Sequence, residues 1–270
     1  MGLKYSSLYP KGDAVPDIPA IEYGCSSIMG TRTSQQDYYG TSSANGNDSL
    51  LAVVCDGMGG LSGGEIASRT TVETILGKYQ GMPKNSSMPK FYQECVKETD
   101  LIIHNLEDGG KPMSAGTTLV TVSITGNTMY MCSVGDSRIY LIRGGKIKSL
   151  CREHNYGEML KQRLSSGAIT RREYENDTQR KDALTSYIGM GSPPLIDINS
   201  KPFQLAPDDM IVLCSDGLFK ALTDEQILIE TLRYKLDPLK AADNLTSQAM
   251  THRKGAQDNT TAIVIHSGVV

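Results

Sequence analysis

A chain of 270 residues with 39% hydrophobic content can bury one large core, and nothing in it reads as a linker between two units. Its formal charge is −3, and Lys and Arg are dispersed rather than blocked, which leaves no basic footprint for nucleic acid. No apolar run approaches the roughly 20 residues that span a bilayer, and the N-terminus lacks a secretion signal's apolar segment, so a cytoplasmic protein with no membrane partner is expected.

Residues 1–20 contain Pro10, Gly12, Pro16 and Pro19 with little periodicity and read as a loose lead-in. Residues 50–55 form an unbroken apolar run, expected as a buried strand, that stops at Asp56-Gly57. Over 64–78 the apolar positions Val72, Ile75, Leu76 and Tyr79 recur at helical spacing, and 89–106 present Tyr92, Cys95, Val96, Thr99, Ile103 and Leu106 on one helical face. Residues 117–124, 128–134 and 137–143 are β-rich and are expected to pair as an antiparallel meander, turning at Gly126-Asn127, with a hairpin at 143–146 to follow. The segment 157–182 is charged and polar, with only a weak helical stretch over 158–164. Strands follow at 210–215 and 260–266. Between them, Thr223 and Gln226 form a capping box that opens one helix, and Asp237-Pro238 opens another. Central strands with a helix pair on each side predict an α+β fold in which two antiparallel sheets make a sandwich flanked by helices.

Four aspartates sit at or near the ends of these runs: Asp37, Asp56, Asp216 and Asp258. A single Asp-Gly pair is ordinary turn chemistry. Four carboxylates brought to one end of a sheet repel one another unless cations neutralise them, and hard oxygen ligands suit Mg²⁺ or Mn²⁺. Two such ions about 3.5–4 Å apart form a template for phosphoryl transfer to water. Cys132 and Arg138 match the Cys-x5-Arg spacing of thiol-based phosphatases, but Asp136 inside that loop would repel the anion it should cradle. The glycines from Gly57 to Gly64 fit no nucleotide-loop register, and the four histidines have no metal-ligand spacing. The six cysteines, without a Cys-x-x-Cys pair, read as reduced and mostly buried thiols.

These motifs carry a resemblance: Arg32 to Asp37, Asp56-Gly57-Met58-Gly59-Gly60, Gly116-Thr117-Thr118, Val134 to Tyr140, Ser215-Asp216-Gly217-Leu218 and Asp258-Asn259-Thr260-Thr261. Together, over 21–264, they resemble the metal-dependent, protein phosphatase 2C-like serine/threonine phosphatases in their compact bacterial form. The resemblance implies a four-layer αββα fold, with a catalytic domain over 21–268 and a flap at 157–182. It implies a monomeric signalling enzyme that hydrolyses phosphoserine and phosphothreonine in the protein substrates of a serine/threonine kinase. The nucleophile would be a hydroxide bridging two Mn²⁺ or Mg²⁺ ions. Residue by residue, Asp56 would bridge the ions, Gly57 would lend its carbonyl, and Asp216 and Asp258 would complete one ion's shell. Asp37 would support the site directly or through water, Arg32 would hold the phosphoryl group, and Asp136 with Asp216 would hold a third, weaker ion. Two positions depart from the pattern. Gln35 replaces the common Asn, and Met58 stands where animal members carry a His often assigned as general acid, although bacterial members share the Met. A relative reduced to a binding or scaffold module loses its metal aspartates, whereas this chain keeps them all.

Overall fold

The computed structural model describes residues 21–43, 49–59, 63–83, 85–177 and 180–268. The expected lead-in over 1–20 lies outside them, as do Gly60 of the glycine-rich motif and residues 178–179 of the charged segment. Two antiparallel sheets face each other. The first runs β1 (Ile21–Ile28), β14 (Thr260–Ser267), β13 (Met210–Cys214), β9 (Arg138–Arg143), β10 (Lys146–Ser149). The second runs β11 (Asp197–Ile198), β8 (Thr128–Val134), β7 (Leu119–Thr125), β3 (Ser49–Gly59), β2 (Asp37–Ser42), with β12 (Phe203–Gln204) beside β8 and β6 (Ala115–Thr117) beside β3. A small hairpin, β4 (Glu107–Asp108) and β5 (Lys111–Pro112), stands apart.

The unbroken apolar run of β3 has a simple cause, because the strand is covered on both faces. Leu50, Ala52 and Val54 point between the sheets and meet Val120, Val122, Ile139, Leu213 and Ile263. Leu51, Val53 and Cys55 point outward to α1 (Gly63–Gln80) and α2 (Met88–His104), where they meet Ala67, Val72, Ile75, Tyr92 and Ile103. On the far side Tyr140, Val212, Cys214 and Val264 pack against Ile227 of α6 (Asp224–Arg233) and Ala241, Ala242 and Leu245 of α7 (Pro238–His252). The result is the expected α+β fold in four layers. Thr223 caps α6 with both halves of the capping box formed, and Asp237 caps α7 ahead of Pro238.

The structure departs from the sequence reading at several points. β1 and β2 are strands that no apolar alternation announces, because each lies at a sheet edge and exposes part of both faces. Residues 117–143 are not one meander: β8 pairs with β7, whereas β9 pairs with β13 and β10, so the chain changes sheet between them. The change is made at Gly135, whose φ of +102° suits glycine, and a Cβ there would press to 2.7 Å from the Thr118 side chain. Within the charged segment the described residues form α3 (Tyr156–Ser165) and α4 (Arg171–Asn176). A capping box between Thr170 and Glu173 opens α4, but a six-residue helix that buries none of its residues leaves no periodicity to read. The remaining helix, α5 (Asp216–Phe219), is a single turn after β13.

α7 lies so close to β1 that a Cβ on the buried Gly24 would stand 2.2 Å from the Leu239 Cα, a backbone atom that cannot step aside. Gly77, exposed in the last turn of α1, has nothing within 4 Å of the same position. Gly24→Ala should therefore cost about 1–3 kcal/mol or more, while Gly77→Ala should gain about 0.5–1 kcal/mol from backbone entropy alone. Thermal unfolding of the two variants checks this: Gly24→Ala should melt below the parent and Gly77→Ala a few degrees or less above it.

Candidate active site

The antiparallel register of β2 and β3 sets Asp37 opposite Asp56. The main chain of Asp56 is fixed on its other side. Its N–H donates to Thr118 Oγ1 (3.0 Å), and its carbonyl accepts from the Thr118 N–H and from Thr117 Oγ1 (both 2.9 Å). Gly57 donates its N–H to the Gln36 carbonyl (3.1 Å), and the start of α1 lies against it, since a Cβ on Gly57 would stand 2.1 Å from the Gly64 oxygen.

From the other sheet, β13 delivers Ser215 and Asp216, and the approach to β14 delivers Asp258. The Asn259 amide joins this approach to the loop that carries Arg32. Its Nδ2 donates to the carbonyls of Met29 (2.9 Å) and Ser34 (3.0 Å), and its Oδ1 accepts from the Gln36 N–H (2.8 Å). Asp136 rides on the corner at which the chain changes sheet, and behind it His154 Nδ1 accepts the Gly135 N–H (3.2 Å).

Arg32, Asp56, Gly57, Asp136, Asp216 and Asp258 line one cleft of about 750 Å³. Asp37, the remaining residue expected from sequence, is buried behind them, 3% exposed. Its Oδ2 accepts from Ser215 Oγ and Thr261 Oγ1, each at 2.7 Å, while its Oδ1 has no partner. Gln35 serves this carboxylate too. Its Oε1 accepts the Asp37 N–H (3.1 Å) and its Nε2 donates to Ser27 Oγ (3.0 Å), which is 2.8 Å from Thr261 Oγ1, so the side chain that is one methylene longer fits.

The carboxylates strain against one another. Burial pushes Asp37 up to about 7, against the pull of the Ser215 and Thr261 hydroxyls and with added repulsion from Asp216 and Asp258. Burial, then repulsion from Asp37, Asp216, Asp136 and Asp258, holds Asp56 well above the usual carboxylate range. Asp136 rises to about 7 through burial and Asp216, with Lys220 opposing. Asp216 Oδ1, like Asp37 Oδ1, is buried without a partner.

A set of hard oxygen donors that raise one another's proton affinity, with two buried lone-pair sites unspent, fits divalent cations. Among the described residues no three such side chains are already drawn together around an ion position. The nearby protein cations account for this, since Arg32 pairs with Asp258 (2.6 Å) and Lys220 pairs with Asp216.

Sequence reasoning gave no role to Lys220 or Asn259. Lys220 could have been found from its i,i+4 spacing to Asp216 on a short helix; the staple made by Asn259 joins residues too far apart in sequence to be read. The thiol-phosphatase reading fails on burial. Cys132 lies fully buried in β8, with its thiol held above the ordinary range by that burial, and Arg138 is engaged by Glu153 and stacked 3.7 Å over Phe219. All six cysteines are free, as expected. At the end of the charged segment, Asp182 and Leu184 reach the cleft.

Comparison with known proteins bears on the family and the fold. A 226-residue stretch is 28% identical to the serine/threonine protein phosphatase PstP of Mycobacterium tuberculosis, covering 82% of this chain and 42% of PstP, so the chain spans about two fifths of that relative's length. The serine/threonine phosphatase stp of Listeria monocytogenes is 27% identical over 228 residues, 82% of this chain and 86% of the relative. The solved structure of the Streptococcus agalactiae serine/threonine phosphatase superposes with a TM-score of 0.78 at 25% identity, covering 91% of this chain and 98% of that one. The profile of the protein phosphatase 2C family matches residues 26–252. With the sandwich, the aspartates at its strand ends and this match in agreement, the chain belongs to the protein phosphatase 2C family.

Proposed function

We propose that the cleft hydrolyses phosphoserine and phosphothreonine esters in proteins phosphorylated by a serine/threonine kinase, with Mn²⁺ or Mg²⁺ held by its aspartates. The observation that carries this reading is the convergence of Asp37 and Asp56 from one sheet with Asp216 and Asp258 from the other, leaving two buried carboxylate oxygens without partners. Two ions would be held by Asp56, shared between them, by the Gly57 carbonyl, and by Asp216 and Asp258, with Asp37 in support. When bound, the ions supply an acidified water and neutralise phosphoryl charge.

The chain's own residues do the rest. The guanidinium of Arg32 is the group that forks onto phosphate oxygens and orients the ester. A dianionic phosphoryl group competes with Asp258 for it, so Arg32 is held ready rather than free. Met58 lines the cleft and has no proton to give, so the leaving oxygen takes its proton from another source. The flap over 157–182, which brings Asp182 to the cleft, is the part suited to substrate choice. We assign the catalytic domain to 21–268 and read the protein as a cytoplasmic monomer; no helix among the described residues is long and apolar enough to cross a membrane.

Asp56→Asn and Asp216→Asn should reduce turnover of a phosphothreonine peptide by more than about 100-fold, since even the outer partners of metal ligands are worth 10–100-fold, while the circular dichroism of the fold is kept. Activity should vanish in excess EDTA and return with Mn²⁺; full turnover in EDTA would sink the metal reading.

Arg32→Ala should lower kcat/KM by at least about tenfold on every phosphoester, a small aryl phosphate included, because the lost contact is to the group they share. Unchanged kinetics on the aryl phosphate would return Arg32 to the surface.

The raised carboxyls also make metal-free stability fall with pH. Between the ordinary Asp range and about 7 the unfolded chain has released protons that Asp37 and Asp136 still keep in the fold, so the folded state binds more protons and loses stability as pH rises through that window. The chelated protein should therefore melt lower at about pH 7.5 than at about pH 5, and Mn²⁺ should restore more at the higher pH. Scanning fluorimetry at both values checks it, with Asp37→Asn expected to flatten the slope.

A further inference from the structure

Lys220 ends the single turn of α5, and its N–H donates to the Asp216 carbonyl (2.9 Å). The i,i+4 spacing returns its side chain over the same residue, where Nζ donates to Asp216 Oδ2. The lysine side chain is 47% exposed and its partner 13% exposed, so the ammonium covers the carboxylate from the cleft side. Asp136 lines the same cleft as Asp216 and Lys220, so the ammonium stands in the cleft that these two carboxylates face. These two aspartates are the pair to which the family resemblance gives a third, weaker ion.

We propose that the Lys220 ammonium is a resident cation at the Asp136–Asp216 position, so that this chain binds two divalent ions and not three. The proposal rests on the two-ion reading of the cleft. A dication arriving between Asp136 and Asp216 would meet a like charge and would have to displace an ammonium that already neutralises one of its ligands. A covalently tethered cation also does not exchange, so the charge balance of this corner is independent of the free metal concentration, unlike that of the two core positions.

The test is a count of ions. The full chain, stripped with chelator, is titrated with Mn²⁺ by calorimetry, and bound Mn²⁺ is confirmed by paramagnetic resonance. The parent should bind two ions per chain. Lys220→Met should keep those two and gain a third, weaker step, Lys220→Asp should gain it more tightly by adding a ligand, and Lys220→Arg should remain at two. Melting curves in metal-free buffer establish that each variant is folded. Three ions on the parent, or two on both folded Lys220→Met and Lys220→Asp, would overturn the proposal while leaving the core reading in place. No bound Mn²⁺ on any of the four proteins would remove the core reading and this inference with it.

Discussion

A directional run of hydrogen bonds from Gln35 through Ser27 and Thr261 ends on Asp37 Oδ2, and the rest of the cleft is arranged around that end point. Gln35 donates to Ser27, Thr261 uses its one proton on the carboxylate and so accepts from Ser27, and Ser215 adds a second hydroxyl on the same oxygen. β1, the loop before β2, β13 and β14 therefore converge on one oxygen. The same carboxylate belongs to β2, in the opposite sheet, so the two sheets are registered to each other by a polar contact at one end of an otherwise apolar sandwich. Each donor polarises the next, which makes such a run worth more than isolated pairs.

Magnitudes decide what this contact can and cannot do. Hydrogen bonds to a charged acceptor contribute about 1.5–3 kcal/mol each, and removing a carboxylate from water costs several kcal/mol before any repulsion from its neighbours is counted. Two hydroxyls do not offset burial and the field of Asp216 and Asp258, which agrees with the upward displacement of Asp37. The hydroxyls fix direction instead: by occupying Oδ2 they leave Oδ1 as the buried lone-pair site without a partner. A fold built this way holds its aspartates in position at a cost to its own stability, an expense ordinary for sites that must bind a cation or an anion strongly.

Much of this was legible from local pattern. The 3.6-residue spacing of Val72, Ile75 and Tyr79 gave α1, the capping box at Thr223 gave α6, and the Asp-Gly ends of two apolar runs gave Asp56 and Asp216. Contacts between distant parts of the chain were not legible. The jump between sheets at Gly135 depends on which strands lie beside β9, 68 to 76 residues later for its paired positions in β13, and no window along the sequence contains that information. Edge strands such as β1 were missed because half-exposed strands carry mixed composition. The charges on Arg32 and Lys220 were plain, but not that each rests on a different aspartate of the same cleft.

Asn259 binds the carbonyls of Met29 and Ser34 and the N–H of Gln36 while sitting next to Asp258. The loop that bears the guanidinium and the strand end that bears a carboxylate are thereby stapled into a single body. Across the cleft, the segment after α3 is anchored beyond α4, through the Asn155–Leu184 and Thr117–Ile188 bridges, the buried Ile188 and the Gly189 and Gly191 N–H groups on Asp100, whereas α4 itself buries nothing. The two walls are therefore held differently, one stapled beside its charged residues and the other anchored at its far end. Substitutions on α4 therefore meet no packing penalty, whereas a change at Asn259 would displace guanidinium and carboxylate together.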